Sequence, residues 1–139
     1  MNVLIDTNIA IDVLLKRPPY YEYAQLLLLL SEDKDIDIFI SASAVTDVFY
    51  IIDKTFKNSV HSQTVIRDLL EIISVADVDG HMIHKALDAR WNDFEDCVQY
   101  SAGESISAEY IITRNPKDFA NGSIEVITPD KFINLISPK

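Results

Sequence analysis

The sequence has little of the residue types that mark several common classes of protein. It contains one cysteine and three glycines among 139 residues. A single cysteine, Cys97, cannot form an internal disulfide, and its apolar helical surroundings favour a buried packing role over a nucleophilic one. Three glycines do not supply a glycine-rich loop of the kind that cradles nucleotide phosphates. Disulfide-stapled folds and phosphate-loop nucleotide sites are therefore excluded.

Long apolar segments are also missing from the sequence. The run from Leu26 to Leu30 is only five residues long, whereas a membrane-spanning helix needs about 20 apolar residues. The chain does not open with an apolar segment that carries a basic flank. We therefore expect a cytoplasmic protein with neither a signal peptide nor a membrane anchor.

Basic residues are outnumbered by acidic ones. The 12 lysines and arginines stand against 22 aspartates and glutamates, which gives a formal net charge of −10. This balance argues against broad electrostatic attraction to nucleic acid, because affinity for phosphates normally comes from a basic surface. A divalent ion held by several carboxylates would reverse the sign locally.

What the sequence does contain is a strand that ends in an acid. Val3, Leu4 and Ile5 run directly into Asp6, which is the pattern of a buried parallel strand that delivers a carboxylate to the carboxyl edge of a sheet. Thr7 or Asn8 can cap the helix that follows. A carboxylate at the end of a buried strand is costly unless it has a partner, so Asp6 is the first candidate site residue.

Hydrophobic periodicity predicts that strands and helices alternate along the rest of the chain. The length and the 48% hydrophobic content are those of one compact domain, residues 1–139. Predicted strands follow at 36–41, 72–76, 110–113 and 124–127, and predicted helices at about 20–32, 45–56, 59–71, 82–87, 92–107 and from 129 onward. Five short strands separated by helices predict a three-layer α/β domain, a five-stranded parallel sheet flanked by helices.

Acids lie near several of the predicted strand ends and helix starts. Asp6, Asp47 and the pair Asp93 and Asp96 would converge at one edge of a parallel sheet. Asp93 and Asp96 are three residues apart and share a helix face, whereas Glu95 is expected to face away. Crowded carboxylates are usually relieved by a hard cation such as Mg²⁺ or Mn²⁺. Their repulsion predicts that Asp6→Asn raises the melting temperature of the metal-free protein.

Each of these residues also has an interpretation without function. Asp93 can simply cap its helix, and Asp47 lies opposite the apolar stripe of its helix, which predicts a solvated position. Asn115 before a proline is ordinary turn chemistry. Arg114 can form a structural ion pair as readily as a phosphate contact. Asp118 is expected at the surface.

Three segments together resemble the successive motifs of a known family. These are Asp6-Thr7-Asn8, the stretch from Asp96 to Ala102, and Ile112 to Asn115 followed by Asp118-Phe119. Their order and spacing resemble those of PIN-domain proteins, and the block from Trp91 to Phe119 is similar to bacterial PIN proteins of the VapC toxin type. The resemblance implies a parallel sheet flanked by helices and a ribonuclease dependent on Mg²⁺ or Mn²⁺.

The resemblance also implies roles for particular residues. Asp6 matches the first acid of the family, Asp96 the third, and Asp47 the position where the family usually has glutamate. Asp93 is an auxiliary acid, and Asn115 stands where many relatives have aspartate. Asp6, Asp96, Asp47 and Asp93 are thereby implied to hold the metal. The departures at Asp47 and Asn115 bear on whether there are one or two metal ions.

Three functions follow as hypotheses. The first is a metal-dependent endoribonuclease, the toxin of a toxin–antitoxin pair, with an RNA substrate, an antitoxin carrying a basic segment and a homodimeric state. Lys54, Lys57 and Arg114 are its candidate phosphate contacts. The second is a PIN scaffold that binds protein or RNA with little activity. The third is a receiver-like phosphoacceptor domain, which is disfavoured because no Asp ends the third strand and no Lys ends the fifth.

Overall fold

The computed structural model describes residues 1–32, 35–119 and 122–137. The strands are β1 (Asn2–Ile5), β2 (Asp37–Ser41), β3 (Ser74–Ala76), β4 (Tyr110–Ile112) and β5 (Glu125–Ile127). The helices are α1 (Thr7–Leu14), α2 (Tyr21–Leu29), α3 (Ala42–Phe56), α4 (Ser59–Ile72), α5 (Gly80–Ala89), α6 (Phe94–Ser105) and α7 (Pro129–Ile136). Short 3₁₀ turns cover Leu30–Glu32 and Pro116–Phe119. This alternation confirms the predicted fold class.

The five strands form one parallel sheet with β1 at its centre. The spatial order is β3-β2-β1-β4-β5, and every neighbouring pair is parallel. This order differs from the 2-1-3-4-5 order of receiver-type sheets, which sets aside the phosphoacceptor hypothesis. Because all strands point the same way, their carboxyl ends and the starts of the following helices share one edge.

Helices cover both faces of the sheet, and alternate residues of β1 pack against the helices on opposite faces. Val3 and Ile5 point into a core shared with α1, α2, α3 and α7, whereas Leu4 between them points into a core shared with α6. Successive strand residues alternate between faces, so a strand covered on both sides must be apolar throughout. All three residues are fully buried, which explains the uninterrupted apolar run before Asp6.

Several boundaries differ from those that the sequence pattern predicts. The second predicted helix ends at Leu29 and continues as a 3₁₀ turn rather than as α-helix to Glu32. The third strand begins at Ser74 because α4 extends through Ile72. These differences are confined to the ends of elements, and all of the predicted strands and helices are present. None of the described helices is long and apolar enough to span a membrane.

Candidate functional site

Asp6 lies at the end of β1 and is held by four donors. Its Oδ1 accepts hydrogen bonds from the backbone N–H of Thr7 at 2.6 Å and from Gln99 Nε2 at 3.1 Å. Its Oδ2 accepts from Asn8 Nδ2 at 3.1 Å and from Thr113 Oγ1 at 2.6 Å. The residue is only 6% exposed. Burial nevertheless raises the pKa of Asp6 above its ordinary value, because it outweighs these donors, and the charge of nearby Asp118 adds to the effect.

The prediction that Thr7 or Asn8 caps α1 is wrong. Asp6 is the N-cap, with extended backbone angles and a carboxylate that accepts from the Thr7 N–H. The Asn8 amide instead turns back to Asp6 and lies 3.5 Å from the Thr113 hydroxyl. The same carboxylate that ends the strand therefore starts the helix, which fixes its position from both sides.

The start of α6 brings two further acids to this edge. Asp93 is the N-cap, and its Oδ1 accepts from the backbone N–H of Asp96 at 3.0 Å. Asp96 is 8% exposed, and the described residues provide no hydrogen bond to its carboxylate. Burial first, and then the charges of Asp6, Asp93 and other acids, raise the pKa of Asp96 to about 7. Asp96 is thus a desolvated carboxyl in a field of like charges.

Glu95 lies at the same cluster, so the prediction that it faces away is wrong. Its Oε1 is 3.5 Å from the hydroxyl of Thr7, and its carboxyl, when protonated, donates to the carboxylate of Asp47. Burial, the bond to Asp47 and the charges of Asp47, Asp93 and Asp6 raise the pKa of Glu95 to about 7. Glu95 meets Thr7 of α1 and Asp47 of α3, and helical spacing within α6 alone cannot predict such contacts with other helices.

Asp47 is half-buried and contacts Glu95 rather than solvent. Ser41 caps α3 by accepting from the N–H of Ala44 at 3.2 Å, and Val48 and Ile52 carry the buried stripe of the helix. Asp47 is in the second turn of α3, near the start of the helix at the sheet edge. The apolar stripe predicts a solvated Asp47, and that prediction is wrong because α6 packs against this part of α3.

Two of the remaining residues that the sequence singled out, Asn115 and Asp118, are exposed. Asn115 is exposed, and its contribution to the site is its backbone N–H, which donates to Thr113 Oγ1 at 3.1 Å. Asp118 is exposed as expected, but its charge raises the pKa of both Asp6 and Asp96. Sequence reasoning missed Gln99 as a partner of Asp6. In the structure Gln99 lies within a stretch of α6 in which every residue from Asp96 to Gly103 is buried. A polar residue in the middle of that segment is the only signal that the sequence offered.

The candidate basic residues separate into two groups. Helix α3 rises about 1.5 Å per residue, which places Lys54 and Lys57 roughly 10 to 15 Å along its axis from Asp47 and away from the acids. Lys54 lies over the ring of Tyr50. Arg114, in contrast, is close to the site and forms an ion pair with Asp12, with 2.9 Å between Nε and Oδ2.

The donors present suit a hard divalent cation. Carboxylate oxygens are the ligands that Mg²⁺ and Mn²⁺ prefer, and desolvated carboxyls that raise one another's pKa would be relieved by such an ion. Within the described ranges, no three acid, histidine or cysteine side chains are already grouped in a ligand arrangement. The chemistry of the residues therefore fits a metal ion, and the acids are close without being preorganised around one.

Comparisons with known proteins agree with this fold. The chain is 26% identical over 136 residues to Ribonuclease VapC1 of Aquifex aeolicus, covering 94% of this chain and 92% of the relative. A toxin-antitoxin complex from Klebsiella pneumoniae contains a chain of similar structure, with a TM-score of 0.66, 27% identity and coverage of 91% and 97%. The fold is also similar to that of the Mycobacterium tuberculosis toxin VapC20, with a TM-score of 0.68, 14% identity and coverage of 89% and 98%.

A family model described as a PIN domain matches residues 2–117. This match includes β1, the start of α3, all of α6 and the segment after β4. The matched region therefore includes Asp6, Asp47, Asp93, Glu95 and Asp96, whereas Asp118 lies one residue beyond it. The chain belongs to the PIN domain family.

Proposed function

We propose that the protein is a metal-dependent endoribonuclease that hydrolyses phosphodiester bonds in RNA. The observation that carries the proposal is the cluster of desolvated acids at the carboxyl edge, where the pKa values of Glu95 and Asp96 are raised to about 7. Strongly perturbed carboxyls in contact with one another are typical of catalytic and metal sites. The similarity to Ribonuclease VapC1 supports the same reaction.

In this proposal Asp6, Asp96, Asp47 and Asp93 hold a Mg²⁺ or Mn²⁺ ion, and Glu95 joins them. A bound divalent ion supplies an activated water and offsets charge on the phosphate. The chain's own contribution is to fix the acids. Three side chains that donate to Asp6 orient its two oxygens; they belong to Asn8, Gln99 and Thr113.

Asp93 and Asn115 also stabilise the site through hydrogen bonds that involve the backbone. Asp93 caps α6 and thereby fixes the first turn that carries Asp96. The N–H of Asn115 holds the hydroxyl of Thr113 in the position from which it donates to Asp6. The side chain of Asn115, which is exposed, is then available to position the attacking water.

We further propose that the protein acts in the cytoplasm as the toxin of a toxin–antitoxin pair and forms a homodimer. A structurally similar chain at 27% identity occurs in a toxin-antitoxin complex. The net charge of −10 suits an antitoxin with a basic segment, because complementary charge steers association and favours the correct partner.

A catalytically weak PIN scaffold is the second candidate. Two observations favour it: Asp47 is one methylene shorter than the glutamate usual in the family, and the described acids are not preorganised around an ion. Such a protein would bind RNA or a partner without cleaving it.

Cleavage of single-stranded RNA in Mn²⁺ and in EDTA separates the two candidates. The nuclease proposal expects cleavage in Mn²⁺, none in EDTA, and loss of cleavage in Asp96→Asn. A matched control is Asp68→Asn, which removes an exposed acid from α4 and should cleave normally. RNA that is bound but left intact by the native protein in Mn²⁺ would favour the scaffold.

A further inference from the structure

A recess lies beside Arg114, the residue that directly follows Thr113, a hydrogen-bond partner of Asp6. It has a volume of about 310 Å³, within the range of small-ligand sites. Its walls come from the loop before α2, from α2 itself, from the segment after β4 and from the start of α7. The lining includes Pro19, Tyr20, Tyr23, Arg114, Pro129 and Asp130.

Arg114 is fixed in this pocket from two directions. Its Nε lies 2.9 Å from Oδ2 of Asp12, which is fully buried, and its guanidinium carbon lies 4.1 Å from the ring centroid of Tyr20. Burial raises the pKa of Asp12, while Arg114 and Arg17 oppose that shift. The described residues form no hydrogen bond with the terminal nitrogens of Arg114. A preorganised donor fork therefore remains for a ligand.

The second polar group in the pocket is an acceptor. Asp130 lies in the first turn of α7, and the nearby Thr128 hydroxyl and backbone N–H groups lower the pKa of its carboxyl. Asp130 is therefore ionised at neutral pH, and its carboxylate can accept hydrogen bonds from a ligand. The pocket thus combines a guanidinium fork with a carboxylate.

This charge pattern disfavours a phosphate and suits a nucleobase. Asp12 already offsets the charge of Arg114, and the carboxylate of Asp130 would repel an anion. The rest of the lining is apolar and aromatic, with Tyr23 47% exposed. Single-stranded RNA is recognised in such pockets by stacking on aromatic rings and by hydrogen bonds to base edges.

Among the bases, guanine matches the two polar groups. An arginine fork pairs with the O6 and N7 acceptors of guanine, and a carboxylate accepts from its N1–H and N2 amino donors. Adenine keeps N7 but presents an amino donor where guanine has O6, and it has neither N1–H nor the N2 amino group, so it satisfies each protein group only in part.

The pocket is also next to the proposed reaction site. Arg114 directly follows Thr113, whose hydroxyl donates to Asp6, and consecutive Cα atoms are about 3.8 Å apart. Asp12 is on α1, the helix that Asp6 caps. A strand of RNA whose phosphate lies at the acids could place a neighbouring base in the pocket.

We propose that this pocket binds a guanine base of single-stranded RNA, with Arg114 and Asp130 reading its edge and Tyr23 stacking on its face. The inference rests on the proposed function, since it names a specificity site for the same substrate. It makes Arg114 and Asp130 determinants of the RNA sequence that is cleaved.

Nucleotide binding tests the pocket without requiring cleavage. In EDTA, NMR titrations with guanosine 5′-monophosphate, adenosine 5′-monophosphate and inorganic phosphate should give saturable shifts around Arg114 and Tyr23 with the guanine nucleotide only. Asp130→Asn and Arg114→Lys should each weaken that binding by about tenfold or more. Equal shifts with both nucleotides would overturn guanine selectivity, and shifts with phosphate alone would make Arg114 an anion site.

The variants are chosen to preserve folding, so that weaker nucleotide binding cannot be a consequence of unfolding. Arg114→Lys keeps a cation beside buried Asp12, whereas Arg114→Ala would leave that carboxylate uncompensated. Tyr23→Ala removes an exposed ring and should weaken binding of guanosine 5′-monophosphate by removing the stacking surface. Arg67→Ala, which removes an exposed arginine from α4, is the matched control and should bind like the native protein.

A cleavage assay then distinguishes failure of the guanine-pocket proposal from failure of the proposed nuclease function. If the native protein cleaves RNA in Mn²⁺, substrates with one guanosine replaced by adenosine near the cleaved bond should lose about tenfold in kcat/KM, and Asp130→Asn should remove that difference. Cleavage that is indifferent to guanosine would overturn the pocket while leaving the nuclease intact. Guanine-selective binding without any cleavage would overturn the nuclease and leave the pocket.

Discussion

The hydroxyl of Thr113 donates a 2.6 Å hydrogen bond to Oδ2 of Asp6 and links the end of β4 to the end of β1. Thr113 is completely buried and also accepts from the N–H of Asn115. The bond therefore joins two neighbouring strand ends and ties the first acid of the cluster to the loop that carries Arg114.

Replacing Thr113 by valine should weaken metal binding and cleavage. Valine keeps the shape of the side chain but removes the donor to Asp6 and the acceptor for Asn115, so two buried partners lose a bond. We expect a loss of about 1–3 kcal/mol in unfolding free energy and weaker Mn²⁺ binding by calorimetry. Thr64→Val, on the exposed face of α4, is the control; equal effects in both variants would deny Thr113 a role in the site.

Asp6→Asn and Asp96→Asn should have opposite effects on stability without metal. Carboxylate repulsion alone predicts that Asp6→Asn melts higher, but an amide cannot accept at both ends and so loses donors at Asp6. We therefore expect Asp6→Asn to melt lower. The part of the chain that the structure describes donates no such bonds to Asp96, which gains from losing its charge, so Asp96→Asn should melt higher. Thermal melts in EDTA at pH 7.5 test this, and two shifts of the same sign would count against it.

The stability of the metal-free protein should fall as the pH rises from about 4 to above 7. The pKa values of Asp96 and Glu95 are raised to about 7 in the folded state, so the folded protein binds more protons than the unfolded chain in this window. Their stabilising contribution is present below the unfolded pKa and is lost as pH passes the folded pKa. Melting temperatures in EDTA should drop by several degrees, and a flat profile would contradict the pKa shifts.

The same measurement in saturating Mg²⁺ provides a control for that pH dependence. A bound cation favours the ionised carboxylates, so melting temperatures should rise with pH relative to those in EDTA. The variant Asp96→Asn in EDTA should show a smaller fall than the native protein, because one of the two titrating groups is gone.

Asp47→Ala should reduce cleavage by at least about 10- to 100-fold, which is the effect of losing even a group that only orients a metal ligand. Asp47 is one of the proposed ligands, and it lies beside Glu95 at the same edge. Asp47→Glu should retain or improve cleavage, since it restores the longer reach usual in the family. Asp88→Ala, an exposed acid on α5, is the control. Native activity in Asp47→Ala would return this residue to a structural role.

The fold was predictable because its signals are local. The apolar run into Asp6, the alternation of Ile36, Ile38 and Ile40, and the apolar stripe of α3 each report burial within one element. Periodicity then locates strands and helices to within a few residues. The position of Asp6 at a shared edge followed from the parallel order of strands alone.

The detail of the site was less predictable because it depends on contacts between distant elements. Glu95 meets Asp47 across α6 and α3, and Gln99 reaches Asp6 over 93 positions of sequence. Helical spacing describes only the face of one helix, so it cannot say which neighbour packs there. The burial of Asp12 against Arg114 had no local signal for the same reason.

A hydrogen bond and an ion pair, about two helical turns apart, connect helix α1 to the segment after β4. Asp6 bonds Thr113 and Asp12 pairs with Arg114, so α1 cannot rotate about its axis or slide without breaking both contacts. Local opening of either element therefore requires the other to open with it. The hydrogen-bonded amides of Thr7, Ile9, Thr113 and Asn115 should exchange together, at rates close to those of global unfolding, which would make this edge one of the most rigid parts of the molecule.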